Sequence, residues 1–240
     1  MKNKIYLILS LFLFSCEKEE IPITLISSQS NITQINLESN YAKQVFYNLE
    51  KNLVTSSNFK TDWDLGFGTE EGVFNIILNS STFSKLKKIE NVIFEEVTII
   101  PDSINWSWDD PSDYNNTATG SIWNINTTYI LDLGFDSDGN TRGFKKFKID
   151  TFAGNYYNIS HSNLNNSETN TFQIIKNDEV QHSRFSLINN TIITSPTKND
   201  WDLLFSQYTH LFNDPTTPAY LVTGVLINQK NEIEVAIDSI

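Results

Sequence analysis

The chain has 240 residues, enough to bury a core of its own, and its 17 basic against 29 acidic residues give a formal charge of −12. So acidic a surface repels nucleic acid and anionic lipid headgroups, which excludes nucleic-acid binding and membrane attachment through a basic patch. With Cys16 as the only cysteine, no disulfide forms within the chain, and stability has to come from packing.

At the N-terminus, Lys2 and Lys4 precede an apolar run from Ile5 to Phe14, so residues 1–15 read as a secretory signal. The run is too short to remain in a bilayer as a helix. It closes on Leu13-Phe14-Ser15-Cys16, which resembles the bacterial lipobox and implies that the Cys16 thiol is lipidated and becomes the mature N-terminus. Cleavage removes Lys2 and Lys4 and leaves 15 basic against 29 acidic residues, a formal charge of −14, so the anchor is the lipid alone. Residues 16–30 read as a lipidated tether and 31–240 as one all-β domain. Glu17-Lys18-Glu19-Glu20 looks like the export signal of surface lipoproteins, which places the protein on the outer membrane facing outward; a solvated linker is the plainer alternative.

Beyond the tether the apolar spacing is two. Tyr129, Leu131, Leu133 and Phe135 share one face of a strand, Phe147 and Ile149 alternate with Lys146, Lys148 and Asp150, and Ile233, Val235 and Ile237 alternate with polar neighbours. Ala219 to Ile227 is apolar on both faces and reads as a central strand. Asp136-Ser137-Asp138-Gly139-Asn140 reads as a hairpin loop; Gly139 is misplaced for a calcium loop, and Phe147 stands where its bidentate glutamate belongs. Helical spacing occurs only in Thr82 to Glu95, through Phe83, Leu86, Ile89 and Ile93. The fold class is therefore all-β, an antiparallel sandwich-like arrangement with at most a short helix.

An internal repeat is superimposed on this pattern. Val45 to Leu49 followed by Asp62-Trp63-Asp64-Leu65-Gly66-Phe67 recurs 138 residues later as Arg184 to Leu187 followed by Asp200-Trp201-Asp202-Leu203-Leu204-Phe205. Each copy reads as an apolar strand, a polar turn and a second strand that buries Trp, Leu and Phe, which points to two halves of one core or two packed sheets. Aspartates flanking a buried tryptophan suit backbone hydrogen bonds better than catalysis.

With these blocks, together with Tyr41-Ala42-Lys43-Gln44, Asp138-Gly139-Asn140 and Tyr220-Leu221-Val222-Thr223-Gly224, the chain resembles the HmuY family of Bacteroidetes lipoproteins. The resemblance implies an all-β fold and a surface-displayed carrier that takes up haem for iron acquisition and passes it to an outer-membrane receptor. In haem-binding members two His or Met side chains hold the iron, between the first tryptophan block and the Asp-Gly-Asn hairpin. The corresponding stretch here, Asn91 to Thr128, has neither residue type.

Haem iron needs an imidazole, thioether, thiolate or phenolate, so His161, His182 and His210 are the axial-ligand candidates, with His182 and His210 first because a hairpin can bring them together. Trp106 and Trp108 lie on one side of an extended Asn105 to Asp110 and can stack on a porphyrin or another small planar ligand, or cap a sandwich end. No nucleophile elbow, matched serine–histidine pair or zinc spacing is present, and the chain reads as a binding protein, not an enzyme. The competing reading is a surface interaction or adhesion lipoprotein that keeps the fold and has lost haem.

Overall fold

The computed structural model describes residues 32–101, 105–113, 116–118, 124–212, 214, 216–230 and 233. The signal, Cys16, the tether and the strand expected at Ile233 to Ile237 lie outside the described residues, apart from Ile233 itself. Among the described residues thirteen strands follow one another: β1 (Lys43–Asn48), β2 (Leu53–Phe59), β3 (Leu65–Gly68), β4 (Ile76–Leu78), β5 (Lys85–Ile89), β6 (Thr128–Asp132), β7 (Phe144–Ala153), β8 (Tyr156–Ser162), β9 (Asn170–Ile175), β10 (His182–Ser186), β11 (Thr191–Ile193), β12 (Leu203–Leu211) and β13 (Ala219–Ile227). They form three antiparallel sheets, ordered β13-β12-β1-β2, β11-β10-β3-β4 and β5-β6-β7-β8-β9.

The two four-stranded sheets are the repeat made visible. In each, the first strand of one copy pairs with its own hairpin partner on one side and with the second strand of the other copy on the other: β1 lies between β2 and β12, β10 between β11 and β3. The hairpin turns use Asn52 and Asn190, both at φ 52°, a left-handed conformation that asparagine tolerates better than most side chains. The clasp between the copies is reciprocal. The Asp64 carboxylate accepts the Leu187 amide at 2.7 Å and the Asp64 amide donates to the Phe185 carbonyl at 2.9 Å. The Asp202 carboxylate accepts the Leu49 amide at 2.6 Å and its amide donates to the Tyr47 carbonyl at 2.8 Å. Asn79 then donates to the Lys60 and Trp63 carbonyls, as Asn228 does to those of Lys198 and Trp201. The aspartates thus satisfy backbone donors that the buried turns leave over.

The main core lies between the β3–β10 sheet and the five-stranded sheet, where Leu65, Phe67 and Phe185 meet Tyr129, Leu131, Phe147 and Tyr157. A smaller cluster of Phe46, Trp201 and Leu204 sits on the β1–β12 sheet. The β3–β10 sheet is therefore lined by apolar side chains toward the five-stranded sheet, and its alternate positions, Gly66, Ile77, His182 and Arg184, fall on its other face.

Three expectations need correction. Thr82 to Glu95 forms no helix: Ser80–Thr82 is a 3₁₀ turn capped by the Asn79 side chain, Phe83 takes φ 65°, and the chain then enters β5 before a second 3₁₀ turn, Phe94–Glu96. Ile93, supposedly on the apolar face, is 61% exposed. Second, β13 is not central but ends its sheet among the described residues, with Tyr220 and Val225 exposed. Third, Lys146 is not on a solvent face: it is 0% exposed, and its ammonium donates to the Phe94 and Val97 carbonyls at 2.7 and 2.8 Å and rests over the Phe94 ring. The second 3₁₀ turn covers that face of β7, and the lysine gives a donor to the Val97 carbonyl and a second one to the Phe94 carbonyl, which also accepts the Val97 amide at 3.4 Å.

Candidate functional site

Two places among the described residues gather the candidate tryptophans and His182 with charged side chains. The first grows from β5. Leu86 and Ser107 exchange backbone hydrogen bonds at 2.8 and 3.0 Å, so the 105–108 segment runs as a short extra rung beside β5 and both indoles fall on one side of it. The Lys85 ammonium sits 5.1 Å from the Trp106 ring and 5.9 Å from the Trp108 ring, in cation–π range of both, and 3.4 Å from the Asp132 carboxylate. Trp106 stacks on Phe144 at 6.1 Å, and Trp108 leans on Phe83 at 5.9 Å. The Trp108 indole N–H is buried without a hydrogen-bond partner. Both indoles stay half-buried, part platform and part cap.

The second is a cavity of about 70 Å³ between the two four-stranded sheets, walled by Phe46, Trp63, His182, Arg184, Trp201 and Leu226. Along it runs a strap, residues 109–113, of which Asp109, Asp110 and Pro111 line the space. The strap is pinned by Asp109, whose buried carboxylate accepts the Leu78 amide at 2.5 Å and the Ala118 amide at 2.7 Å. Burial pushes this carboxyl up to about 7 against the pull of those two amides. The Arg184 guanidinium lies 4.9 Å from both the Phe46 and the Trp63 rings and donates to Asn58 at 3.2 Å.

The three histidines do not converge. His161, on β8, is buried in the main core, hydrogen-bonded to Asn190 at 2.8 Å and edge-on to Phe185, and burial lowers its pKa. His182, on β10, faces the cavity; burial first, then Arg184 and Lys230, push its imidazole down to about 3, so it is neutral at physiological pH. His210 is exposed on β12 opposite Tyr220 and edge-on to Phe212. It stands about 20 Å along the strand from Leu204, which lines the cavity, at the usual strand rise. The hairpin expected to join His182 and His210 does not exist, because β10 and β12 belong to different sheets.

A haem ligated by two of these side chains does not fit this arrangement. The cavity that holds His182 is several-fold smaller than the roughly 300 to 1,000 Å³ of ordinary organic-ligand pockets. Among the described residues no three His, Cys, Asp or Glu side chains cluster as a metal site. Sequence reasoning found the tryptophans and the histidines but missed Asp109 and Arg184. The signal for Asp109 was present in its place beside Trp108 and before Pro111; for Arg184 it was the charge that one repeat copy carries where the other has Phe46.

Compared with known proteins, residues 40–184 match the family model described as HmuY protein. That span takes in the first repeat copy, the whole five-stranded sheet and the start of the second copy. No curated protein and no solved structure matches.

Proposed function

This chain belongs to the HmuY family, whose members are generally non-catalytic haem-binding proteins, and from that premise we propose that it is a lipid-anchored, surface-displayed carrier of haem or porphyrin. It serves iron acquisition in partnership with an outer-membrane receptor, and it holds the planar ring by contact and not by a pair of axial side chains. The observation that carries this reading is the Trp106–Trp108 platform, which lies within the stretch where haem-binding members keep their ligands and carries the Lys85 ammonium beside its rings. An indole face suits a porphyrin, and a lysine at the ring edge suits its carboxylates.

Titrating haemin into the protein at micromolar concentration tests this. Contact binding gives a broad Soret band, quenches tryptophan fluorescence, accepts iron-free porphyrin equally well and weakens in Trp106→Ala. A sharp low-spin band lost in His182→Ala or His210→Ala would instead establish imidazole ligation. No change in absorbance or fluorescence would leave the second reading, an interaction or adhesion lipoprotein that has lost haem. One observation favours that second reading: Phe144 and Lys85 already lie against the Trp106 ring.

Attachment rests on Cys16. In Cys16→Ser cells the protein is expected to leave the membrane fraction while its fold, read by circular dichroism, is unchanged, since a charge of −14 offers no other membrane affinity. A variant that still partitions wholly with the outer membrane refutes the lipid anchor.

A further inference from the structure

The cavity between the repeat copies lies where their equivalent positions face one another, and there the copies differ. The clasp is duplicated: Asp64 matches Asp202, Leu49 matches Leu187, Trp63 matches Trp201. At two cavity-lining positions it is not: Gln44 and Phe46 of the first copy stand where the second has His182 and Arg184. A cavity that only filled space between sheets would be served by the neutral pair, because bringing a guanidinium into a half-dry interior costs desolvation energy. Across the opening the strap contributes the opposite sign, Asp109 and Asp110. Ser195 also lines the space, and its hydroxyl is buried with no hydrogen-bond partner.

We infer that this cavity is a binding site, separate from the indole platform, for a small zwitterion of the α-amino-acid type. The carboxylate pairs with Arg184 and the Ser195 hydroxyl, and the ammonium pairs with the strap carboxylates beside the Trp63 and Trp201 rings. A guanidinium fork matches a carboxylate, and an ammonium is attracted both to carboxylates and to indole faces. Size agrees: at one water-sized sphere per 10 to 15 Å³, about 70 Å³ holds roughly five heavy atoms, the size of glycine or alanine. A porphyrin is excluded from it on the same ground. The 109–113 strap beside the space is held at Asp109 by two amide hydrogen bonds and at Ser112 by Gln229.

Among the described residues, the charged and titratable groups lining the site are His182 and Arg184 on β10 and Asp109 and Asp110 on the strap, with Lys230 near enough to act on His182. His182, pushed down to about 3, is neutral between pH 6 and pH 8, and Asp109, pushed up to about 7, is partly protonated at neutral pH. A bound ammonium favours the ionised carboxyl, so binding releases a proton and affinity rises between pH 6 and pH 8.

Calorimetry and tryptophan fluorescence with glycine, alanine and serine, against acetate and methylammonium as half-ligands, test the assignment. Saturable binding of the amino acids, stronger at pH 8 than at pH 6, and much weaker binding of either half-ligand are expected. Arg184→Met and Asp110→Asn should each weaken binding by about tenfold or more, the usual worth of a charge-assisted hydrogen bond. Among the described residues the Asp110 carboxylate accepts from the Ser112 amide and hydroxyl within its own turn, so its replacement leaves the Asp109 hydrogen bonds that pin the strap. Should Arg184→Met fail a thermal-melting check, Ser195→Val and Asp110→Asn carry the comparison. No saturable response of the wild-type protein to the three amino acids, acetate binding as tightly as glycine, or undiminished binding in the variants overturns the proposal, whatever the haemin titration shows.

Discussion

Replacing Arg142 with alanine is expected to destabilise the protein by about 3 to 5 kcal/mol, the usual cost of removing one partner of a buried ion pair. In a domain of this size that lowers the melting temperature by roughly 10 °C. Arg142 follows the Asp-Gly-Asn hairpin, and its guanidinium reaches across to the first tryptophan block: 2.8 Å to the Asp64 carboxylate, 3.0 Å to the Thr61 carbonyl and 3.1 Å to the Leu133 carbonyl. Both ionic side chains are almost wholly buried, at 6% and 0% exposure. Asp64 is also the residue that grips the Leu187 amide, so one guanidinium ties the hairpin, the five-stranded sheet and the clasp between the repeat copies together. Deleting it strands a carboxylate in the interior. The Asp64→Asn/Arg142→Met double variant removes both charges and should recover part of the loss, because the stranded charge is then absent. Chemical denaturation of the single and double variants measures this. An Arg142→Ala protein within about 1 kcal/mol of wild type would show the pair to be solvated and the coupling absent.

What was legible in the sequence follows from which interactions are local. The period-two runs at Tyr129 to Phe135 and Phe147 to Ile149 gave strands because their burial is set by neighbours in the same strand, and the structure buries Tyr129, Leu131, Leu133, Phe147 and Ile149 almost completely, whereas Phe135, beyond the end of β6, is 42% exposed. The tryptophan blocks were legible because duplication preserves spacing. Their pairing was not: a hairpin pattern suggests that each Trp-bearing strand lies against its own copy, whereas β3 pairs with β10 and β12 with β1. Nothing in a linear pattern distinguishes a partner six residues away from one more than a hundred away. The Thr82 to Glu95 misreading is of the same kind, since Phe83, Leu86 and Ile89 owe their spacing to a 3₁₀ turn running into an edge strand. Lys146 was assigned to water because lysine usually is; only the turn folding over β7 from fifty residues earlier makes it a buried donor. At the candidate sites the sequence supplied two indoles that the structure brings together beside Lys85 and a histidine pair that it keeps apart, because side-chain type is written in the chain and convergence is not.

Trp63→Ala and Trp201→Ala are each expected to cost about 3 to 5 kcal/mol, and to cost similar amounts. The two rings are 4% and 5% exposed, hold equivalent places in the repeat and border the same cavity from opposite copies. Trp63 donates its indole N–H to Gln44 at 2.8 Å, but Gln44 also accepts from Asn58 at 2.9 Å, so truncating Trp63 leaves no orphaned acceptor and removes packing together with the Arg184 cation–π contact. Trp201 meets Phe46 edge-on at 5.2 Å, again a packing contact. In both variants the cost grows with the void left behind, and here each deletion enlarges an existing space of about 70 Å³ between sheets that the Asp64 and Asp202 clasps prevent from closing. Thermal and urea denaturation of the two variants side by side measures the pair of values. If either protein melts like wild type, that tryptophan is not part of the packed interior; if the two differ by several kcal/mol, the copies do not share the load and the structural equivalence of the halves stops at their backbone.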